Sequence, residues 1–300
     1  MPRLYRPADP IVIGDTGDPA RSARLCYHQG MKLASSLLPA ACVVALLAGC
    51  PGSKGYKRTY AEPTAAQVVE KLALQRAART AFTAESTMDY WLGKDRVKGT
   101  VLVMGTVGKK LRFNALSPAG GDVLADMACD GTQFVYVDKQ NNCQLAGPCD
   151  RQAIAQLLRV ELEPEDFLHL ALGTPPVLAG ATGTVTWDSA RGLERVALTA
   201  PGGTQAIVID TRAGRWDVVS SELKDPAGTV MWSVENADFE TAPDAASGEH
   251  RLPGKTRFKS PQQAADLLVE WGDRTVNPTL DDGKFVVTVP PGLPVCGAKP

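Results

Sequence analysis

The sequence predicts a mainly β protein of the α+β class: one curved antiparallel sheet with an N-terminal helix and two short helices lying over it. Three observations carry that expectation. About a dozen short runs of branched and aromatic residues are separated by brief turns, the texture of an antiparallel meander. Helical periodicity occurs in three places and never alternates with single strands, which excludes a parallel, doubly wound sheet. A single layer of that many strands curls into a partial barrel whose concave face three modest helices cover only in part.

Taken in order, residues 1–30 mix charge with prolines, lack a continuous apolar run and precede a second methionine, Met31. They are expected to be a non-translated or disordered extension, in which Cys26 and His28 carry no chemistry. Residues 31–49 read as a lipoprotein signal peptide. Lys32 supplies the positive start, 37–47 the apolar region, and Leu47-Ala48-Gly49 the small residues before Cys50. The apolar region falls well short of the roughly 20 residues of a spanning helix. Cys50 is therefore expected to carry lipid and to become the first mature residue, anchoring the chain to a membrane. Residues 50–63 follow as a tether, read as a solvated linker with incidental charge, the alternative being that Lys54, Lys57 and Arg58 touch anionic headgroups. Pro51 is not the aspartate that retains lipoproteins in the inner membrane of enteric bacteria, so the expected place is the outer membrane, facing the periplasm.

Thr64 can cap a helix running to about residue 82, with Ala65, Val69, Leu72, Ala73, Ala77 and Ala81 on one stripe and Glu70, Lys71, Gln75 and Arg79 opposite. That narrow, alanine-rich stripe suits close approach to a sheet better than a membrane surface. Strands are expected over 97–104, 110–117, 122–129 and 134–138. In the second, Leu111, Phe113 and Ala115 alternate with Lys110, Arg112 and Asn114, so one face is dry and the other wet. Asp130-Gly131 signals a hairpin of type I′. Asp150 caps a helix over 151–159. A second helix over 163–172 has Pro164 early, Glu165 and Asp166 in its first turn, and Gly173, Pro175 and Pro176 past its end. Strands resume over 184–187, 194–199, 205–210, 215–223, 230–239, 252–258, 265–272 and 284–289. Residues 242–248 read as a low-complexity loop.

Net charge is −1 with 22% charged residues, and like charges never run in long blocks, so nucleic acid is not an expected partner. Of the seven cysteines, Cys26 and Cys42 leave with the leader and Cys50 takes the lipid. Cys129, Cys143, Cys149 and Cys296 remain, and in an oxidising compartment they read as two disulfides of open connectivity. No Cys-x-x-Cys occurs and only His169 and His250 belong to the mature chain, a poor zinc set. No nucleophile elbow, metalloprotease helix, phosphate loop or dinucleotide fingerprint stands in its required context. His169 lies between Leu168 and Leu170, where a structural histidine is expected rather than a catalytic base. Neither an enzyme nor a cofactor is expected.

An apolar concave face under helices is a place for acyl chains, the alternative being a filled core without a cavity in which Trp187, Trp216, Trp232 and Trp271 merely pack. The candidate lining is Trp91, Phe113, Trp187, Trp216 and Trp232 from the sheet, with Leu157, Leu158, Phe167 and Leu168 from the two lid helices.

The order of these elements resembles that of the bacterial LolA/LolB lipoprotein-carrier superfamily, over most of residues 64–292. The likeness begins with an N-terminal helix leading into Trp91-Leu92-Gly93 and a strand from Gly99. It continues through Leu111 to Gly120, Asp130-Gly131 and Phe134-Val135-Tyr136. Leu172-Gly173-Thr174-Pro175 resembles the close of the short helix in the LolB branch, itself a lipoprotein. Val276-Asn277-Pro278 and Val289-Pro290-Pro291-Gly292 resemble the terminal strand, leaving 293–300 as a tail. The resemblance implies an unclosed half-barrel of about 11 strands with a helical lid, binding a lipid or a lipoprotein acyl chain. It also leaves room for an envelope sensor or assembly protein that binds a protein partner on the same scaffold. The strand arginine and apolar loop tip of the carriers match no position here, so the resemblance implies fold and ligand class and assigns no individual site.

Overall fold

A computed structural model describes residues 55–92, 94–118, 121–158 and 162–297, with the backbone alone for Leu92, Asp95 and residues 156–158. The leader, Cys50, Lys54, Gly93, Gly120 and residues 298–300 lie outside the described residues, as do the side chains of Leu157 and Leu158. After helix α1 (Ala65–Ala77) come β1 (Ala81–Leu92), β2 (Asp95–Thr106), β3 (Lys110–Leu116), β4 (Val123–Asp130), β5 (Gln133–Asp138) and β6 (Cys143–Pro148). Helices α2 (Arg151–Leu158) and α3 (Pro164–Ala171) follow. The chain then forms β7 (Thr182–Asp188), β8 (Leu193–Ala200), β9 (Gly203–Asp210), β10 (Asp217–Lys224) and β11 (Val230–Ala237). A small hairpin, β12 (Glu240–Pro243) and β13 (Glu249–Leu252), precedes β14 (Lys255–Ser260) and β15 (Ala265–Val276).

Thirteen strands form one antiparallel sheet in the order β6-β5-β4-β3-β2-β1-β15-β14-β11-β10-β9-β8-β7. The first and last strands pair, Phe82 opposite Val276 and Tyr90 opposite Leu267, and so join two meanders. The end strands β6 and β7 do not pair with each other, and the sheet is an unclosed barrel. The chain must travel from one edge, at Pro148, to the other, at Thr182. That crossing carries α2 and α3 over the concave face, which is why the lid lies mid-chain. Because neighbours are antiparallel, the strand ends sort into two rims. The turns at 200–203, 224–230 and 260–265 make one rim, here called upper, and those at 188–193 and 210–217 the lower.

The core follows from this path. Phe82, Val103, Leu111, Phe113 and Phe134 from β1–β5 meet Ile154 of α2 and Phe167, Leu168 and Leu172 at α3. Ala65, Val68 and Leu72 of α1 cover Val196, Leu198, Ile207 and Ile209 of β8 and β9. A buried polar chain links the middle strands: Trp271 Nε1 donates to Thr256 Oγ1, which donates to Asn236 Oδ1, while Asn236 Nδ2 donates to the Val218 carbonyl. Charged groups and the β12–β13 hairpin plug the lower rim. Arg79 donates to the Leu172 carbonyl at 2.7 Å, Arg251 binds Asp217 at 2.6 Å and Arg274 binds Glu240 at 2.8 Å. Both disulfides form, Cys129–Cys149 tying β4 to the start of α2, and Cys143–Cys296 tying the C-terminal segment to β6.

The boundaries differ from the sequence reading in four places. Thr64 caps α1 with a full capping box to Gln67, but the helix stops at Ala77 and β1 takes residues 81–92. Phe82, Ala84, Ser86 and Met88 are buried there at alternate positions, a period hidden by small residues. β6 and the β12–β13 hairpin are additional. Residues 282–285 form a 3-10 turn in place of the expected strand, because Phe285 is buried against the outside of β3 and β4 and Arg112 donates to the Lys284 carbonyl at 2.8 Å. At the Asp130-Gly131 turn only Gly131 has positive φ, 105°, so the turn is not type I′. Asp130 Oδ1 instead accepts from the amides of Thr132 and Gln133, and a Cβ at Gly131 would stand 2.8 Å from the Gly108 carbonyl.

Of the segment read as a tether, residues 55–62 lie against the lower rim. Tyr56 N donates to the Ser189 carbonyl at 2.7 Å. Arg58 forms a two-pronged pair with Glu194, at 2.8 and 2.9 Å, and Tyr60 Oη donates to Glu194 at 2.7 Å. Burial pushes the Tyr60 hydroxyl up to about 12. The segment docks here because Glu194 is fully buried, and a buried carboxylate needs paired donors.

Candidate functional site

Helix α3 starts at Pro164, whose missing amide costs nothing in a first turn, and ends at Ala171, with Leu172 as its cap and Gly173 next. There φ is 72° and a Cβ would stand 2.7 Å from Pro253 Cδ. The helix has two apolar flanks. On one, Phe167, Leu168 and Ala171 close tightly on the β1–β5 half, with the Phe113 and Phe167 rings 5.1 Å apart. On the other, Leu170 and the preceding Leu162 face Trp232, Val234 and Phe258 of β11 and β14. The Trp232 and Phe258 rings stack at 6.2 Å.

Beside that second flank is a cleft of about 460 Å³, a volume within the usual range for small-molecule sites. Its floor is Trp232 and Phe258, with Leu162, Leu223 and Met231 beside them and Val177 and Leu178 opposite. Gln205 fixes that opposite wall. Its Nε2 donates to the Pro176 carbonyl at 2.8 Å and to Ser221 Oγ at 2.9 Å, and its Oε1 accepts from the Leu178 amide at 2.7 Å. Charged groups collect on its α3 side. Arg151 and Lys109 both reach Glu163, at 3.2 and 3.4 Å, and Arg76 pairs with Asp166 at 2.7 Å. An apolar floor with charge gathered on one side matches a ligand with an apolar chain and a polar head. A second depression of about 740 Å³ lies around the β1–β15 bulge. Glu85, Glu240 and Asp273 line it beside Leu102, Val103, Met104 and Trp271.

Of the residues expected to line a cavity, Trp232 lies in the cleft. Phe113, Phe167 and Leu168 are closed into the core. Trp216 packs under α1 with Lys71 above its ring at 4.1 Å. Trp187 binds the Tyr56 carbonyl at the lower rim, and Trp91 sits under Arg96. Leu157 and Leu158 fall among the side chains not described. Sequence reasoning did not single out Leu162, Val177, Leu178, Leu223, Met231, Phe258 or Gln205. One signal was available for the last: Gln205 occupies an inward position in alternation with Ile207 and Ile209, and all three are buried.

His169 is 2% exposed. Burial, with Arg76 and Arg79 nearby, lowers its imidazole to about 3. It is neutral, held near Thr174, and outside the cleft lining. Among the described residues no group of three or more His, Cys, Asp or Glu is placed to hold a metal, and no helix is long and apolar enough to cross a membrane.

The fold and cleft together define a class: an open antiparallel half-barrel, its concave face crossed by short helices, with an apolar cleft at the upper rim. No protein-family model matches the sequence, and no curated protein does. Solved structures similar to this chain include a LolA superfamily protein from Nitrosomonas europaea, at 10% identity and a TM-score of 0.48, covering 75% of this chain and 98% of that one. A putative outer membrane lipoprotein-sorting protein domain from Vibrio parahaemolyticus is also similar, at 9% identity and a TM-score of 0.49, covering 74% and 95%.

Proposed function

We propose that this protein is a lipid-anchored protein of the bacterial envelope that binds the acyl chain of a lipid or lipoprotein reversibly in the cleft beside α3. The cleft carries the reading: an aromatic floor on β11 and β14, aliphatic walls, and charge gathered on the α3 side. The lipobox before Cys50 supplies the anchor and the outer membrane is the expected location. Binding needs no cofactor and no covalent step. Each methylene buried contributes about 0.8 kcal/mol, so a partly enclosed chain binds by several kcal/mol and still leaves.

The test is titration of the mature Cys50→Ala protein with a fluorescent fatty acid, beside a Leu178→Glu variant that places a carboxylate in the cleft wall. The expected result is saturable binding, weakened at least tenfold by the substitution, with an unchanged fold by circular dichroism. Absence of saturable binding, or equal binding by both proteins, overturns the reading. Capture of one envelope protein without any acyl binding replaces it with an interaction role on the same scaffold.

A further inference from the structure

We infer that the lower rim of the strands faces the surface of an anionic phospholipid bilayer and that the cleft opens away from it. The inference rests on the proposed anchor at Cys50 but not on what the cleft binds. Its basis is where the chain is held. Docking begins at Gly55, where a Cβ would stand 3.1 Å from the Ser189 carbonyl, and Tyr56 N binds that carbonyl in the β7–β8 turn. Arg58 and Tyr60 then fasten the segment across β8 to Glu194 and to Thr211 beside the β9–β10 turn. Four residues separate Cys50 from Gly55, and the five Cα-to-Cα steps between them span at most about 18 Å. The eight-residue strands β8 and β9 are about 27 Å long. With the upper rim on the membrane, the lower rim would stand farther from it than the link can reach.

The surface at that rim suits the partner. Tyr56 is 47% exposed, with the Arg212 guanidinium over its ring at 5.4 Å, an aromatic beside a cation of the kind that settles at headgroup level. Lys57 and Arg191 are exposed around it, and Arg215 is 38% exposed. Cations at such a surface are attracted to an anionic leaflet. The cleft lies at the other ends of the same strands, between Leu223, Met231, Ser260 and Gln262, and the β12–β13 hairpin with its arginine pairs closes the lower side. An acyl chain therefore enters and leaves through the aqueous face, from a donor or to an acceptor in the surrounding compartment.

The experiment uses the full lipid-modified chain on vesicles of phosphatidylglycerol and phosphatidylethanolamine containing a headgroup spin label. One fluorophore is placed through Ala190→Cys at the lower rim or Ala227→Cys at the upper. The expected result is at least threefold stronger quenching at position 190 than at 227, with flotation that Cys50→Ala abolishes. Equal quenching, or stronger quenching at 227, overturns the orientation while leaving the acyl-binding titration untouched. Flotation unchanged by Cys50→Ala removes the anchor, and the orientation with it.

Discussion

At the scale of single residues, buried ionisable groups set the pH and mutational behaviour. His169 is neutral in the fold because burial and two nearby arginines lower it to about 3, whereas an unfolded histidine titrates near 6.5. Its folded value is depressed, so the unfolded chain takes up the proton first as pH falls. The stability it contributes is whole above about pH 6.5 and is lost towards pH 3, by up to about 1.4 kcal/mol per pH unit. Urea midpoints between pH 4.5 and 7 should fall with acid in the wild type and flatten in His169→Gln. Asp244, held down to about 2 first by the Ala246 amide and then by His250, adds its loss below that window. Glu194 presents the complementary case. Removing its guanidinium partner with Arg58→Met leaves a carboxylate with a side chain 0% exposed bound by Tyr60 alone. The expected cost is about 3–5 kcal/mol in urea denaturation, and an unchanged midpoint would contradict the docking of residues 55–62 through Glu194.

At the scale of elements, the lid is held from both ends. Cys129–Cys149 ties β4 to the residue preceding the α2 cap, and Gln205 pins the segment that follows α3. Replacing both Cys129 and Cys149 by alanine should cost about 2–4 kcal/mol. In hydrogen exchange, α2 amides should lose protection before those of β1 and β2. Loss of protection spread evenly over the sheet would argue against a lid that opens by itself. The helices were legible in sequence because caps, early proline and apolar spacing agreed at Thr64, Asp150 and Pro164. β6 was not, since Gly147-Pro148 reads as a turn, and the four-residue strands of the β12–β13 hairpin, one ending at Pro243, give no period to detect. β1 was partly hidden because alanine and serine fill its inward positions. The cleft was the least legible feature. Its lining comes from Leu162, from residues 177–178 and from four strands far apart in the chain, and only Trp232 announced itself by size.

At the scale of the molecule, the architecture follows from one topological fact: the first and last strands of the sheet pair, so its two meanders curl apart and leave β6 and β7 as edges. Composition and strand spacing led to an open antiparallel sheet under helices, but strand order rests on the Phe82 to Val276 register, a separation no local pattern reports. Crossing between the edges then puts α3 over the middle of the concave face. Its two flanks divide the space, closed on the β1–β5 side and open on the β9–β14 side. The central claim is that the open side holds an acyl chain. Native mass spectrometry of the mature Cys50→Ala protein, purified without detergent from bacteria, tests it most directly. The account predicts a bound species of lipid mass that organic extraction removes, that added fatty acid restores, and that Leu178→Glu abolishes. A spectrum showing the bare chain alone, before and after added fatty acid, would contradict it.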